Sequence, residues 1–447
     1  MSGEHRFQTA YIPIGVPTFH LESARRAFAD SLELLRSSCE NLAAPEDILL
    51  SPDALNSFLE GIRPDLIVLQ NATFANAAYT ADILHRFPKT PILLWTLREP
   101  VIDGGRLRLN SLTGAYSAAN TIRRYRDGQF PFMYGSPEEP GVQEQLQAIL
   151  RAAEVRYSLK DLTLAQIGHT PQGFGFGRAM DMDMLKYFGV HLLSVEAREL
   201  IDLARSYSPE DCDAWLTDAG GRIRGLDNTP EKNRLDFARL YKAYDVWTRE
   251  NHVGALASRC WPDFFTAFGT PVCAVLGILN DLGIAAACEA DAYGALSMYI
   301  GQKLSGSPVF FGDPVSLDET ENTLTFWHCG TAACSLARED TGAAAGEHCN
   351  RHIGPTLEFG CRPSRRGTIF RIGQCPTGGF RFLIETGEIL DRPQQFYGTS
   401  LVFRPDASAE EFVHRTVRDG WEPHFTVVYW DVSPELRALS EFLNIPS

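Results

Sequence analysis

The chain has 447 residues, 44% hydrophobic and 22% charged, a balance that fits a folded globular protein and excludes a disordered one. At roughly 150 residues per domain, this length predicts about three domains. The formal net charge of −15 excludes a nucleic-acid partner or an anionic membrane face, since both need a concentrated basic surface.

From Thr9 to about Lys160, short apolar runs alternate with amphipathic segments: Tyr11–Val16, a helix over Leu21–Ser37, Leu66–Gln70, Phe74–Phe87 and Ile92–Trp95. Strands separated by helices must pair in parallel, because a parallel connection needs a crossover long enough to hold a helix. This predicts a doubly wound α/β domain over 1–161.

A second series over 162–320 runs through Thr163–Ile167, His191–Val195, a long helix over Pro230–Arg249, Val253–Ala257, a helix over Asp263–Asp281, Ile284–Cys288, a helix over Ala290–Leu304 and Val309–Phe311. Its strands are short and apolar, as strands covered on both faces are, which predicts a second doubly wound parallel-sheet domain. Over 321–447 helical periodicity gives way to Gly, Pro and Thr between short stretches such as Leu324–Trp327, Leu357–Phe359, Thr368–Ile372, Arg381–Glu385 and Ser400–Phe403. That texture predicts a mainly antiparallel, barrel-like β domain. The closing strand and helix, Phe425–Tyr429 and Pro434–Leu443, are expected to pack back on the second domain.

No apolar run approaches the roughly 18 residues of a membrane span, and the first residues lack the apolar core of a signal peptide. The ten cysteines are scattered without a CxxC pair, the pattern of reduced thiols. Both features point to the cytoplasm.

Ligands of parallel sheets bind beyond the carboxyl ends of the strands. Here Glu289 follows Ile284–Cys288, Asp313 follows Val309–Gly312, and Leu324–Trp327 ends in His328. Singly, each has an ordinary structural explanation: a helix N-terminal charge for Glu289, and a turn residue before Pro314 for Asp313. Together with His424 they make an oxygen-rich, nitrogen-supplemented set suited to Mn²⁺ or another divalent cation.

Two other patterns do not carry the chemistry that their outlines suggest. Gly173-Phe174-Gly175-Phe176-Gly177 is not the GxGxxG of a dinucleotide loop, and reads instead as a substrate-facing loop with His169 and Arg178 as contacts. The His348 and His352 pair lacks the glutamate of a zinc protease.

The block from Cys288-Glu289-Ala290-Asp291 to Phe311-Gly312-Asp313-Pro314 resembles the L-fucose isomerase and L-arabinose isomerase superfamily. Ser258-Arg259-Cys260-Trp261-Pro262, Phe326-Trp327-His328-Cys329-Gly330, the terminal Gly420-Trp421-Glu422-Pro423-His424, and the N-terminal Leu94–Pro100 and Asn110–Gly114 segments look similar too. The resemblance implies an aldose–ketose isomerase in which Glu289, Asp313 and His424 hold a divalent cation, assembled as a homotrimer or homohexamer. Glu289 and Asp313 would also be catalytic, shuttling a proton between C1 and C2 through a cis-enediolate. Arg259, Trp261, His328, His169, Arg178 and Arg98 are the candidate sugar contacts.

The main expectation is a hexose or deoxyhexose like L-fucose, whose C6 methyl needs an apolar pocket. The alternative is sulfoquinovose, a sulfonated hexose handled by some relatives of that superfamily, which needs cationic donors around C6. From a different class, a non-catalytic sugar-binding protein with the same fold is the rival.

Overall fold

The computed structural model describes residues 6–447, which form two compact units, one of residues up to Tyr157 with Pro434–Pro446 and the other of Ser158–Ser433. In the first unit, strands β1 (Thr9–Ile14), β2 (Leu42–Ala43), β3 (Leu66–Asn71), β4 (Ile92–Thr96) and β5 (Phe132–Tyr134) make a five-stranded sheet in the order β2-β1-β3-β4-β5. All its pairings are parallel, as the alternating pattern dictates. β1, β3 and β4 are buried along their whole length.

In the second unit, β6 (Thr163–Ile167), β7 (His191–Val195), β8 (Val253–Ser258) and β9 (Ala285–Ala287) make a parallel four-stranded sheet in the order β7-β6-β8-β9. The strand order reverses at β6 and β8, so a crevice is expected at their carboxyl ends.

The remaining strands are β10 (Phe310–Asp318), β11 (Thr323–His328), β12 (Ala344–Gly346), β13 (Thr356–Gly360), β14 (Ser364–Gln374), β15 (Phe380–Ile389), β16 (Thr399–Pro405) and β17 (Phe425–Val428). They form an eight-stranded sheet ordered β11-β10-β17-β14-β15-β16-β13-β12, in which β11 also pairs with β16. The sheet is mixed, because β13 runs parallel to β16 while the other pairings are antiparallel.

Several boundaries differ from those expected. The segments expected as separate domains over 162–320 and 321–447 share one unit and one apolar core, in which Ala165, Leu256 and Ala286 of the parallel sheet cluster with Phe326, Ile369, Leu401 and Phe425 of the mixed sheet. The closing segment also divides: β17 inserts between β10 and β14, whereas the Ser433–Leu443 helix belongs to the first unit, where Glu435 pairs with Arg151 at 2.8 Å. The helix expected over Asp263–Asp281 is broken into a turn of π-helix at Phe264–Phe268 and a helix at Cys273–Asp281. Gly269, at φ 90°, and Pro271 account for the break, since a left-handed residue and a residue without an N–H both end a helix.

Candidate active site

The site is built at the exit of β9. Glu289 and Ala290 both adopt left-handed backbone, with φ of 52° and 54°, a conformation that costs about 1–3 kcal/mol per non-glycine residue and persists only where its surroundings enforce it. They do so here: Ala290 N donates to Ser258 O (3.1 Å), Asp291 N to Cys288 O (3.1 Å), and the Gln166 amide to Ala290 O (3.0 Å). The helix begins only at Ala292, with Asp291 as its N-cap, accepting from Gly294 N at 2.9 Å. Glu289 is therefore not the helix N-terminal charge that its position suggested. The tight turn lifts its side chain out of the helix and into the site, where it is 8% exposed.

Three strands of the mixed sheet deliver the partners. Asp313 lies on β10, His328 ends β11, and His424 immediately precedes β17. His424 Nε2 lies 3.8 Å from Glu289 Oε2 and 3.5 Å from Asp313 Oδ1. His328 Nε2 lies 3.2 Å from Glu289 Oε2, and its Nδ1 faces Thr331 Oγ1 at 3.1 Å and Cys329 Sγ at 3.4 Å. Asp313, His328 and His424 each offer a ligand atom within 4.8 Å of the other two. Burial raises the Asp313 carboxyl above its ordinary range, and the two imidazoles oppose that shift only in part. Burial would depress His328, but the charges of Cys329 and Glu289 outweigh it and raise its pKa.

The orientation of His424 decides what the site can hold. Its Nδ1 donates to Asp291 Oδ2 at 2.9 Å, and Asp291 accepts two further bonds from the Arg371 guanidinium, at 2.6 and 3.1 Å. Asp291 and Arg371 are both wholly buried. Burial alone would raise the Asp291 carboxyl, but Arg371 and His424 overcome it and hold the group well below the usual range, so it is an obligate acceptor. Nδ1 of His424 is thereby turned toward Asp291, which leaves Nε2 facing the carboxylates of Glu289 and Asp313. A carboxylate holding the far nitrogen of a histidine is the usual support for a histidine that ligates a metal. Ligand atoms at about 2.0–2.6 Å from a common ion lie within about 5 Å of each other, a spacing that Asp313, His328 and His424 meet, with Glu289 Oε2 3.8 Å from His424 Nε2.

The Gly-rich loop closes over this arrangement. Phe176 meets His424 edge-on at 5.2 Å between ring centroids, and Phe174 lies 6.4 Å from His424 and 6.3 Å from Trp261. A Cβ on Gly177 would come within 2.7 Å of Asp291 Cα, so the glycine is required for close approach and not for phosphate binding. At the ends of β6 and β8, Arg259 Nη1 lies 3.0 Å from His169 Nδ1 while its Nε pairs with Asp263 at 2.8 Å. Arg178 is exposed beside the loop.

Of the residues nominated from sequence, Glu289, Asp313, His328 and His424 converge, and His169, Arg259 and Trp261 cluster at the neighbouring strand ends. Arg98 belongs to the first unit, where its Nε and Nη2 donate to Glu139 at 2.8 Å and its guanidinium lies over Tyr134. Sequence reasoning missed Asp291 and Arg371. One signal was available: an arginine between Phe370 and Ile372 in an apolar strand is bound to be buried, and a buried arginine requires a carboxylate.

No family model matches the chain. It is 60% identical over 439 residues to a sulfoquinovose isomerase of Clostridium sp. (strain MSTE9), covering 98% of each chain. Sulfoquinovose isomerases of Priestia aryabhattai and Alkalicoccus urumqiensis are each 36% identical, over 97% and 98% of both chains. These relatives are isomerases, so the protein is an enzyme, an aldose–ketose isomerase, and the non-catalytic alternative falls away. Their names also favour the sulfonated sugar over the L-fucose-like one. Full-length identity at this level shows the relationship directly: the chain belongs to the sulfoquinovose isomerase family.

Proposed function

We propose that this enzyme interconverts sulfoquinovose and its 2-ketose through a cis-enediolate, using a divalent cation of the manganese class held by Glu289, Asp313 and His424. One observation carries the chemistry: Nε2 of His424, whose ring Asp291 orients, faces the carboxylates of Glu289 and Asp313. When bound, the cation offsets the charge that develops on O1 and O2.

The chain's own groups do the rest. Glu289 Oε and Asp313 Oδ take the proton from one of C1 and C2 and return it to the other. His328, poised between Glu289 and Thr331, donates a hydrogen bond to a sugar hydroxyl or, failing that, holds Glu289 in place. Phe174 and Phe176 exclude water from the His424 side, and Trp261 offers an aromatic face to the apolar side of the sugar. Arg259, His169 and the exposed Arg178 supply the cationic donors that a C6 sulfonate requires.

The resemblance to L-fucose isomerases supports a cytoplasmic homotrimer or homohexamer. Ile102, Leu107 and Tyr116 of the first unit, 93%, 52% and 75% exposed, add support for association through that unit. Arg98 would reach a substrate only by giving up Glu139.

The test is a C6 series given to the chelator-stripped enzyme resupplied with Mn²⁺. Sulfoquinovose should yield ketose with solvent deuterium entering at C2, and the CH₃ and CH₂OH analogues should react far more slowly. Equal turnover of all three would overturn the sulfonate assignment, and turnover without added cation would overturn the metal assignment. A light-scattering mass equal to one chain would refute the oligomer.

A further inference from the structure

Directly behind Glu289 and His328 lies a cluster that the isomerase chemistry does not use. Cys260 follows β8, Cys288 follows β9, Cys329 follows β11, and Cys273 opens the Cys273–Asp281 helix. All four are free thiols, with exposures of 0% for Cys260, Cys273 and Cys288 and 6% for Cys329. Cys273 Sγ and Cys329 Sγ are 4.0 Å apart. Cys288 Sγ also lies within 4.8 Å of Cys329 Sγ. Cys288 and Cys329 adjoin the site residues in the chain, and ligand atoms of Cys288, Glu289, His328 and Cys329 all lie within 4.8 Å of one another.

A tetrahedral zinc centre with Zn–S about 2.3 Å and Zn–N or Zn–O about 2.0–2.2 Å sets its ligand atoms about 3.3–3.8 Å apart. Small side-chain movements would bring these four groups to that spacing. Two sulfurs, an imidazole and a carboxylate favour a borderline-soft ion over manganese, which also lies below zinc in the general order of divalent affinities. We propose that Cys288, Glu289, His328 and Cys329 form a second metal site, for a thiophilic divalent ion of the zinc class, and that filling it withdraws Glu289 from the isomerase cation.

The centre needs both sulfurs as thiolates and His328 as neutral imidazole, so binding releases to solvent whatever protons these three groups carry. It leaves the centre with one net negative charge, shared among two thiolates and a carboxylate. Cys273, 4.0 Å from Cys329 Sγ, is placed to donate S–H to the new thiolate, the kind of support that ligand sulfurs need. Glu289 cannot serve both ions at once, so the two occupancies compete. The binding half of the proposal stands on the thiol geometry alone, and the inhibitory half rests on the isomerase reading.

The experiment uses the reduced, chelator-stripped, full-length protein titrated with Cd²⁺ as a thiolate probe. One Cd²⁺ per chain should give an ultraviolet cadmium–thiolate band that is lost in Cys288→Ala and Cys329→Ala and kept in Cys375→Ala. Should those variants fail to fold, zinc-edge X-ray absorption on the zinc-loaded wild type decides: about two sulfurs at about 2.3 Å support the site, and a shell of only nitrogen and oxygen overturns it. In Mn²⁺-supported turnover, zinc inhibition should weaken ~10-fold or more in Cys329→Ala. A thiolate band with no zinc inhibition would overturn the competition for Glu289. Absence of any band in the wild type would overturn the site, whether or not the chain isomerises sugars.

Discussion

The two parallel sheets wind alike, with four strands of each in the same relative order, yet their carboxyl ends differ in what meets them. In the five-stranded sheet the ends are sealed by the sheet's own helix: Ser111 donates to Asn71 O, and Gly114 lies so close that a Cβ there would come within 2.4 Å of Asn71 Oδ1. Arg98 at the end of β4 is spent on Glu139. In the four-stranded sheet the ends meet a second sheet, whose strands bring Asp313, His328, Arg371 and His424 to the turn after β9. Among the described residues, both groups of metal-ligating side chains lie at this second junction. A carboxyl-end crevice is thus an opportunity that becomes a site only where another layer supplies the opposing groups.

The comparison can be broken most decisively at Glu289. Glu289→Gln keeps the shape and removes the charge, and should lower kcat/KM by ~1000-fold or more with little change in thermal midpoint. Retention of activity within tenfold would remove Glu289 from the chemistry.

A smaller, more diagnostic effect is expected one step back. Asp291→Asn leaves the His424 ring in place but removes the carboxylate that holds its Nδ1, so cation affinity should fall ~10–100-fold while saturating cation restores much of the activity. Loss that no cation concentration rescues would mean that Asp291 is purely structural. Gly177→Ala, which forces the aromatic loop off Asp291, should cost ~10-fold in kcat/KM at unchanged cation affinity, read by titrating both quantities on the same preparation.

The least effect is expected at the sealed sheet. Arg98→Ala breaks an exposed ion pair of ~0–1 kcal/mol and should leave kcat/KM within about threefold. A rise in KM of tenfold or more, with kcat preserved, would instead put Arg98 at a substrate site of the assembled oligomer.

Much of the architecture was legible in the chain. Alternation of apolar runs with amphipathic helices gave the two parallel sheets, because covalent connectivity and the need to bury both faces allow little else. Glu289, Asp313 and His328 could be nominated because strand ends are recognisable from local pattern, and His424 joined them through its neighbourhood in the chain. The junction itself was not legible. That β17 enters the mixed sheet beside β10 while the next helix joins the other unit depends on which apolar faces find each other, a long-range matter that periodicity does not encode.

The sequence by itself determined the element types, the parallel pairing and the ligand-capable residue types at the ends of strands, since each follows from local sterics and the spacing of apolar side chains. Only the tertiary structure decided that Asp291 and Arg371 orient His424, that Gly177 is needed for close packing, and that thiols from separate elements gather behind the site. These are contacts between residues up to 133 positions apart, made by side chains whose partners exist only once the two sheets have closed on a shared core.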